Sequence, residues 1–82
     1  MSSRVEKLPY KHRKFVETQL NRISKLVQEK REQAGITQEE LAERLEVSAM
    51  TIQFIEQRRR FPSLPVLFCI CRELEIPLIF GD

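Results

Sequence analysis

Positive charge in this 82-residue chain is concentrated in two places. Residues 1–36 hold nine Lys or Arg against four Glu, whereas residues 37–82 hold five Arg against eight acidic groups. Three of those five arginines follow one another, from Arg58 to Arg60. Such clusters suit phosphate chemistry, and nucleic acid is their natural partner. Solvated faces have the same composition, so charge alone leaves both interpretations open.

The residue types needed for catalysis or metal binding do not occur at useful spacings. His12 lies in a basic run without a Cys, an Asp or a second His at metal-ligand spacing, so we expect a solvated side chain. There is no Ser/His/Asp set, no Gly-rich phosphate loop and no HExxH motif. Cys69 and Cys71 would point to nearly opposite sides of a helix, and we expect two buried apolar thiols. The sequence therefore predicts neither an enzyme nor a cofactor.

Residues 37–56 predict two short helices joined by a tight turn. Thr37 is a good N-cap, and Glu40, three residues later, completes a capping box. Ser48 is a second N-cap, with Val47 and Ile52 at its staple positions. Apolar residues of both helices supply one inner face: Leu41, Leu45, Val47, Ile52 and Ile55. This pattern favours a helix-turn-helix unit over an ordinary helical hairpin.

The chain from Asn21 to Ile76 resembles the phage repressor and Cro type of helix-turn-helix domain, the xenobiotic response element family. The matching residues are 35–42 (GITQEELA), 47–48, 51–52, 55–56 and 62–64. The resemblance implies an all-α, compact lambda-repressor-like bundle of four to five helices that binds double-stranded DNA. The family usually has Gly where this chain has Glu46 and Arg58. Both places often need a left-handed backbone, which costs a residue with a Cβ about 1 kcal/mol.

In the resembling proteins, the second helix of the motif enters the major groove and its N-terminal residues contact base edges. The resemblance implies base contacts from Ser48, Ala49, Met50, Gln53 and Gln57. Gln can form a bidentate pair with adenine, and Ala and Met can contact thymine methyls, which points weakly to A·T-rich positions. Phe54 stands at the margin of this set, and we favour packing against a neighbouring element.

The resemblance also implies contacts that carry no sequence information directly. Phosphate contacts are expected from Thr37, Gln38, Arg59 and Arg60, because a helix N-terminus and arginine side chains both favour anions. Arg31 and Glu56 match positions that form an ion pair in the family. We expect this pair to be structural and to tie the first helix to the recognition helix.

Ahead of the motif, apolar residues follow helical spacing from Pro9 onward. Pro9 suits a first turn and Gly35 suits the position after a helix end. One helix of about 24 residues fits this pattern, and so does a short extra helix before a family helix that starts near Asn21. We therefore divide the chain into an N-terminal basic tail and helical extension, 1–20, and a DNA-binding domain, 21–82. Residues 1–8 are expected to be a loose end, and residues 10–20 could dimerise, track the DNA backbone, bind another protein or cap the core.

The segment after the motif is strongly apolar. Ser63 caps a helix that carries Pro65 in its first turn and is apolar nearly all round, so more than one side must be covered. Residues 76–80 fit a short fifth helix and a C-terminal strand paired across a dimer about equally. This helix and the tail are the candidates for a homodimer contact.

Three functions fit this sequence. We prefer a sequence-specific repressor that acts as a homodimer on a pseudo-palindromic operator. The alternative is an antitoxin-type module that binds a toxin or another protein and also autoregulates its operon. A fold that has lost DNA binding stays open, because none of residues 48, 49, 50 and 53 is basic. No stretch resembles a membrane span or signal peptide, and we expect a cytoplasmic, nucleoid-associated protein.

Overall fold

The computed structural model describes residues 8–78, and this part of the chain forms an all-α bundle. Its four helices are α1 (Tyr10–Gln33), α2 (Gln38–Leu45), α3 (Ala49–Glu56) and α4 (Leu64–Glu73). The predicted all-α fold with a helix-turn-helix is therefore confirmed. Within residues 8–78, no helix has both the length and the apolarity that crossing a membrane would require.

Helix α1 is a single uninterrupted helix of 24 residues. It follows Pro9, whose carbonyl accepts a hydrogen bond from the Arg13 N–H at 2.8 Å. It ends before Gly35, which has φ +73°, while the Ile36 N–H donates to the Arg31 carbonyl at 3.3 Å. The predicted extension and the first family helix are thus one element, and the proposed boundary after residue 20 falls inside it. The expected loose end at 1–8 lies outside the described residues except for residue 8.

Both predicted caps of the helix-turn-helix are present. The Thr37 hydroxyl accepts a hydrogen bond from the Glu40 N–H at 3.0 Å, and the Thr37 N–H donates to the Glu40 carboxylate at 2.8 Å. The Ser48 hydroxyl accepts from the Thr51 N–H at 3.2 Å. Between the helices, Glu46 adopts φ 57° and ψ 42°, the left-handed conformation expected where the family has Gly. The turn geometry is therefore kept without glycine.

Apolar side chains from all four helices meet in one core. Val27 of α1, Leu41 of α2 and Ile52 of α3 are buried there. Each such side chain contributes about 1.5–3 kcal/mol by leaving water. The other members are Ala42, Ile55, Ile70 and Leu74. The core fixes α3 against α1 and α2 and so decides which side of α3 faces solvent.

Helix α4 packs through one side only. Ser63 accepts a hydrogen bond from the Val66 N–H at 3.4 Å, and a proline lies in the first turn, as predicted. Ile70 and Cys71 are buried, but Cys69 is exposed. The expectation of two buried thiols is therefore wrong for Cys69, because a helix packed on one side turns residues two apart in different directions.

The C-terminal segment is irregular as far as it is described. Residues 76–78 form neither a helix nor a strand, so the predicted alternatives fail over these three residues. The Ile76 N–H donates to the Cys71 carbonyl at 2.8 Å, after Glu75 turns through a left-handed φ of 56°. Residues 79 and 80 of the predicted element lie outside the described residues.

Candidate nucleic-acid interface

A buried carboxylate at the end of α3 ties three helices together. Arg31 of α1 contacts Glu56 twice, with Nε at 2.7 Å from Oε2 and Nη2 at 3.0 Å from Oε1. Gln38 of α2 donates its side-chain amide to the same Oε1 at 2.9 Å. The hydrogen bond with Glu56 raises the pKa of Arg31, which stays charged. Removing one partner would leave a buried charge unpaired, which typically costs about 3–5 kcal/mol.

At the start of α2, the side chains of Thr37 and Gln38 already have hydrogen-bond partners within the protein. The side chain of Gln38 is half-buried and points to Glu56, and the Thr37 hydroxyl is used in the capping box. Two carboxylates, Glu39 and Glu40, also lie in the first turn. An anion bound at this end of α2 would therefore have to rely on backbone N–H groups and the helix dipole.

Helix α3 exposes one face at helical spacing. Met50 is 60% exposed, and Gln53 and Gln57 are also exposed. Ala49 is half-buried and packs against the core, so it has less reach than the other predicted base contacts. The Ser48 hydroxyl is bonded to Thr51, with 2.9 Å between the two hydroxyl oxygens. The structure thus places Met50, Gln53 and Gln57 on the solvent side of α3.

An aromatic platform made by Phe54 holds two arginines beside α3. The guanidinium of Arg59 lies 4.7 Å from the centre of the Phe54 ring, and that of Arg60 lies 5.9 Å from it. Their backbone N–H groups both donate to the Phe54 carbonyl, at 2.8 and 3.2 Å. Arg58 has φ 62°, which turns the chain back toward the helix. Arg60 also donates to the Thr51 hydroxyl at 3.4 Å.

Sequence reasoning missed this arrangement. We expected Phe54 to pack against a neighbouring element, and it is half-buried, but the groups over its ring are the two arginines that follow. The available signal was an aromatic residue five and six positions before Arg59 and Arg60, across a position where the family usually has Gly. Cation–π contacts of this type are worth about 0.5–1 kcal/mol at exposed sites and more when water is excluded.

No metal site accompanies this surface in the part of the chain that is described. No group of three or more His, Cys, Asp or Glu side chains comes together among residues 8–78. The candidate interface combines a helix face of amide and thioether side chains with an arginine pair beside it, and such groups have the chemistry to contact bases and phosphates.

The fold and this surface define a helix-turn-helix domain, and comparison with known proteins gives its family. Residues 27–80 match the family model described as helix-turn-helix. Over 49 residues the chain is 47% identical to an uncharacterised HTH-type transcriptional regulator of Methanothermobacter thermautotrophicus. The aligned residues cover 60% of this chain and 71% of that protein. No solved structure matches the chain significantly. The chain belongs to the Cro-type helix-turn-helix family of DNA-binding domains, as its sequence predicted.

Proposed function

We propose that this protein is a transcriptional repressor that binds specific double-stranded DNA sites as a homodimer. The exposed face of α3 is the observation that supports this most directly. Met50, Gln53 and Gln57 are presented to solvent, while Ile52 and Ile55 are fully buried and anchor the helix. The relative from Methanothermobacter thermautotrophicus, whose name describes a transcriptional regulator, supports the same role.

The two parts of the surface divide the work of binding. Gln53 and Gln57 can each form a bidentate amide pair with adenine, and Met50 can contact a thymine methyl, so this face would select sequence. Arg59 and Arg60 would contact phosphates, which fixes register and supplies salt-dependent affinity. Backbone N–H groups near Gln38 would add a phosphate contact at the start of α2.

The homodimer is supported by apolar surface on the side of α1 and α4. A groove of about 210 Å³ runs between these helices and the C-terminal segment. Its lining is almost entirely apolar and includes Leu26, Leu67 and Leu78. A second copy covering this groove would allow two recognition helices to read half-sites about 34 Å apart.

Selection of random duplexes by the purified protein at physiological salt tests the proposal. We expect enrichment of a twofold-symmetric motif whose half-sites are one helical turn apart, with A·T pairs opposite Gln53 and Met50. Salt-sensitive binding without an enriched motif would contradict sequence-specific repression and leave only phosphate binding. Enrichment of a single half-site would contradict the homodimer but would agree with base recognition by the exposed face of α3.

A second candidate function is an antitoxin-type module that binds a protein and represses its own operon. The first half of α1 favours it, because Tyr10 and Phe15 are 71% and 64% exposed there. Exposed aromatics of this size commonly anchor protein interfaces. The test is binding of the product of a neighbouring gene, with Phe15→Glu as the variant that should abolish it. Unchanged binding by that variant would remove this surface from the contact.

A further inference from the structure

A polar groove of about 500 Å³ lies between α1 and the end of α3. One face of α1 forms its wall, with Thr18, Asn21, Arg22, Lys25 and Gln28 at three- and four-residue steps. Glu56 and Arg58 close the opposite side. The wall spans ten helical steps, or about 15 Å at 1.5 Å per residue. This groove therefore joins the predicted extension of α1 to the C-terminal end of the recognition helix.

The charges around this groove are unbalanced. Arg22, Lys25 and Arg58 are exposed, and none of them forms an ion pair with another residue of the described chain. Glu56 is the one carboxylate in the lining, and both of its oxygens are already bonded to Arg31 and Gln38. Its charge is offset by Arg31, so Arg22, Lys25 and Arg58 have no ion-pair partner within the groove lining.

Phosphate is the ligand chemistry that fits this groove. Lys and Arg bind phosphate by charge and, for Arg, through paired N–H donors. The amides of Asn21 and Gln28 supply neutral donors along the same wall. A groove open to solvent along its length suits an extended polyanion better than a small molecule, which usually buries most of its surface in a pocket.

The groove adjoins the face of α3 that would read bases. Glu56 is the last residue of α3, and Gln57, on the exposed face, separates it from Arg58. We propose that the groove binds phosphates of the DNA backbone that flanks the bases read by α3. This inference rests on the proposed function and extends its footprint along α1.

The salt dependence of DNA binding tests this assignment. The double variant Arg22→Gln/Lys25→Gln is compared with wild type on the selected operator. Losing two phosphate contacts should flatten the slope of log K against log salt by about 1.8. Between 50 and 200 mM salt, wild type should then lose about twelvefold more affinity than the variant does. The loss of affinity should be similar on specific and random duplexes, because phosphate contacts carry no sequence information.

A matched control comes from the same helix. Lys11→Gln/Lys14→Gln removes the same charge from exposed positions outside the groove, and its slope should stay at the wild-type value. If both double variants flatten the slope equally, the assignment of phosphate binding to the groove is overturned, since the change in net charge alone would explain the result. Circular dichroism of each variant checks that the helices are intact.

The remaining outcomes separate the two levels of the proposal. If wild type binds DNA and the groove variant keeps the wild-type slope of log K against log salt, the groove does not bind phosphates and the proposed function stands. If wild type binds no DNA, both fail together. Titration of the free protein with tripolyphosphate tests whether the groove binds a small phosphorylated ligand instead of DNA. Saturable binding that needs Arg22 and Lys25, with an unchanged DNA slope, would overturn the DNA assignment.

Discussion

Phe54 determines where Arg59 and Arg60 point. An arginine side chain in water samples many rotamers, and fixing it on binding costs about 0.5–1.5 kcal/mol per side chain. Both guanidinium groups already lie over the Phe54 ring, at 4.7 and 5.9 Å from its centre. Part of that entropy is therefore lost on folding instead of on binding, and the pair is preorganised for phosphates.

We expect Phe54→Leu to weaken DNA binding by about 0.5–1.5 kcal/mol, because without the ring the arginine side chains must be ordered on binding. The effect should be similar on all sequences, and the salt slope should stay near the wild-type value, since both arginines are still present. Phe54→Tyr keeps the ring and should keep the affinity. In contrast, Arg59→Ala should flatten the slope of log K against log salt by about 0.9, which corresponds to the loss of one phosphate contact. A loss on the preferred site alone would instead place Phe54 in base readout.

Gln53 is expected to discriminate between bases. Gln53→Ala should cost about 1–3 kcal/mol on the selected site and little on random duplexes, because a bidentate amide contact to adenine is removed. Binding measured on both duplexes at one salt concentration gives the two values. Gln33→Ala, an exposed position at the end of α1, is the matched control. Equal losses on both duplexes would remove Gln53 from the readout.

At the scale of elements, the turn between α2 and α3 stores strain at Glu46. This residue has φ 57°, a conformation that a residue with a Cβ adopts at a cost of about 1 kcal/mol. We therefore expect Glu46→Gly to raise the free energy of unfolding by up to about 1 kcal/mol in urea titration. Glu43→Gly, inside α2, should lower it by about 0.5–1 kcal/mol. Destabilisation by both would show that the turn is relaxed.

The capping box at the start of α2 makes stability depend on acid pH. The Thr37 backbone N–H donates to the Glu40 carboxylate at 2.8 Å, and this hydrogen bond lowers the pKa of Glu40 below the ordinary value of 4.5. A carboxyl group whose pKa is lowered by folding stabilises the protein at pH values above its ordinary pKa. This contribution is lost as pH falls through the lowered pKa. Wild type should exceed Glu40→Gln in stability near about pH 6, and the difference should shrink as pH falls through the lowered pKa of Glu40. Glu43→Gln, which removes a carboxylate of α2 outside the capping box, is the matched control.

Local chemistry explains which elements could be predicted. The caps at Thr37, Ser48 and Ser63 depend only on neighbouring residues, and they appear where the sequence indicates. The left-handed positions Glu46 and Arg58 were expected from the places where the family has glycine. Continuity of α1 past Asn21 could not be decided, because both alternatives satisfy the same apolar spacing.

The failures concern contacts that depend on three-dimensional packing. The exposure of Cys69 follows from α4 packing through one side, and apolar composition does not reveal that side. The Phe54 platform needs the chain to reverse at Arg58, and the charged groove needs α1 to lie beside the end of α3. A sequence pattern places residues on a helix face but does not state which other face it meets.

For the whole molecule, the apolar groove between α1 and α4 leads to a prediction about assembly. We expect sedimentation at micromolar concentration to show twice the 9.7 kDa of one chain. Leu26→Lys puts a charge into the groove and should shift the protein to monomer, because an unpaired charge in an apolar contact is costly. Phe15→Lys, exposed on the same helix but outside the groove, should leave the dimer intact. A wild-type monomer would count against this interface.

The one-sided packing of α4 makes the chain's two thiols unequal as reagents. Burial raises the pKa of Cys71, which keeps its reactive thiolate scarce at neutral pH, and its neighbours restrict access. Cys69 is exposed on the other side of the same helix. A maleimide-linked spin label should therefore attach at Cys69 in the native sequence, without cysteine mutagenesis. In a twofold assembly, the two labels would form a symmetric pair whose separation gives the distance between the α4 helices directly.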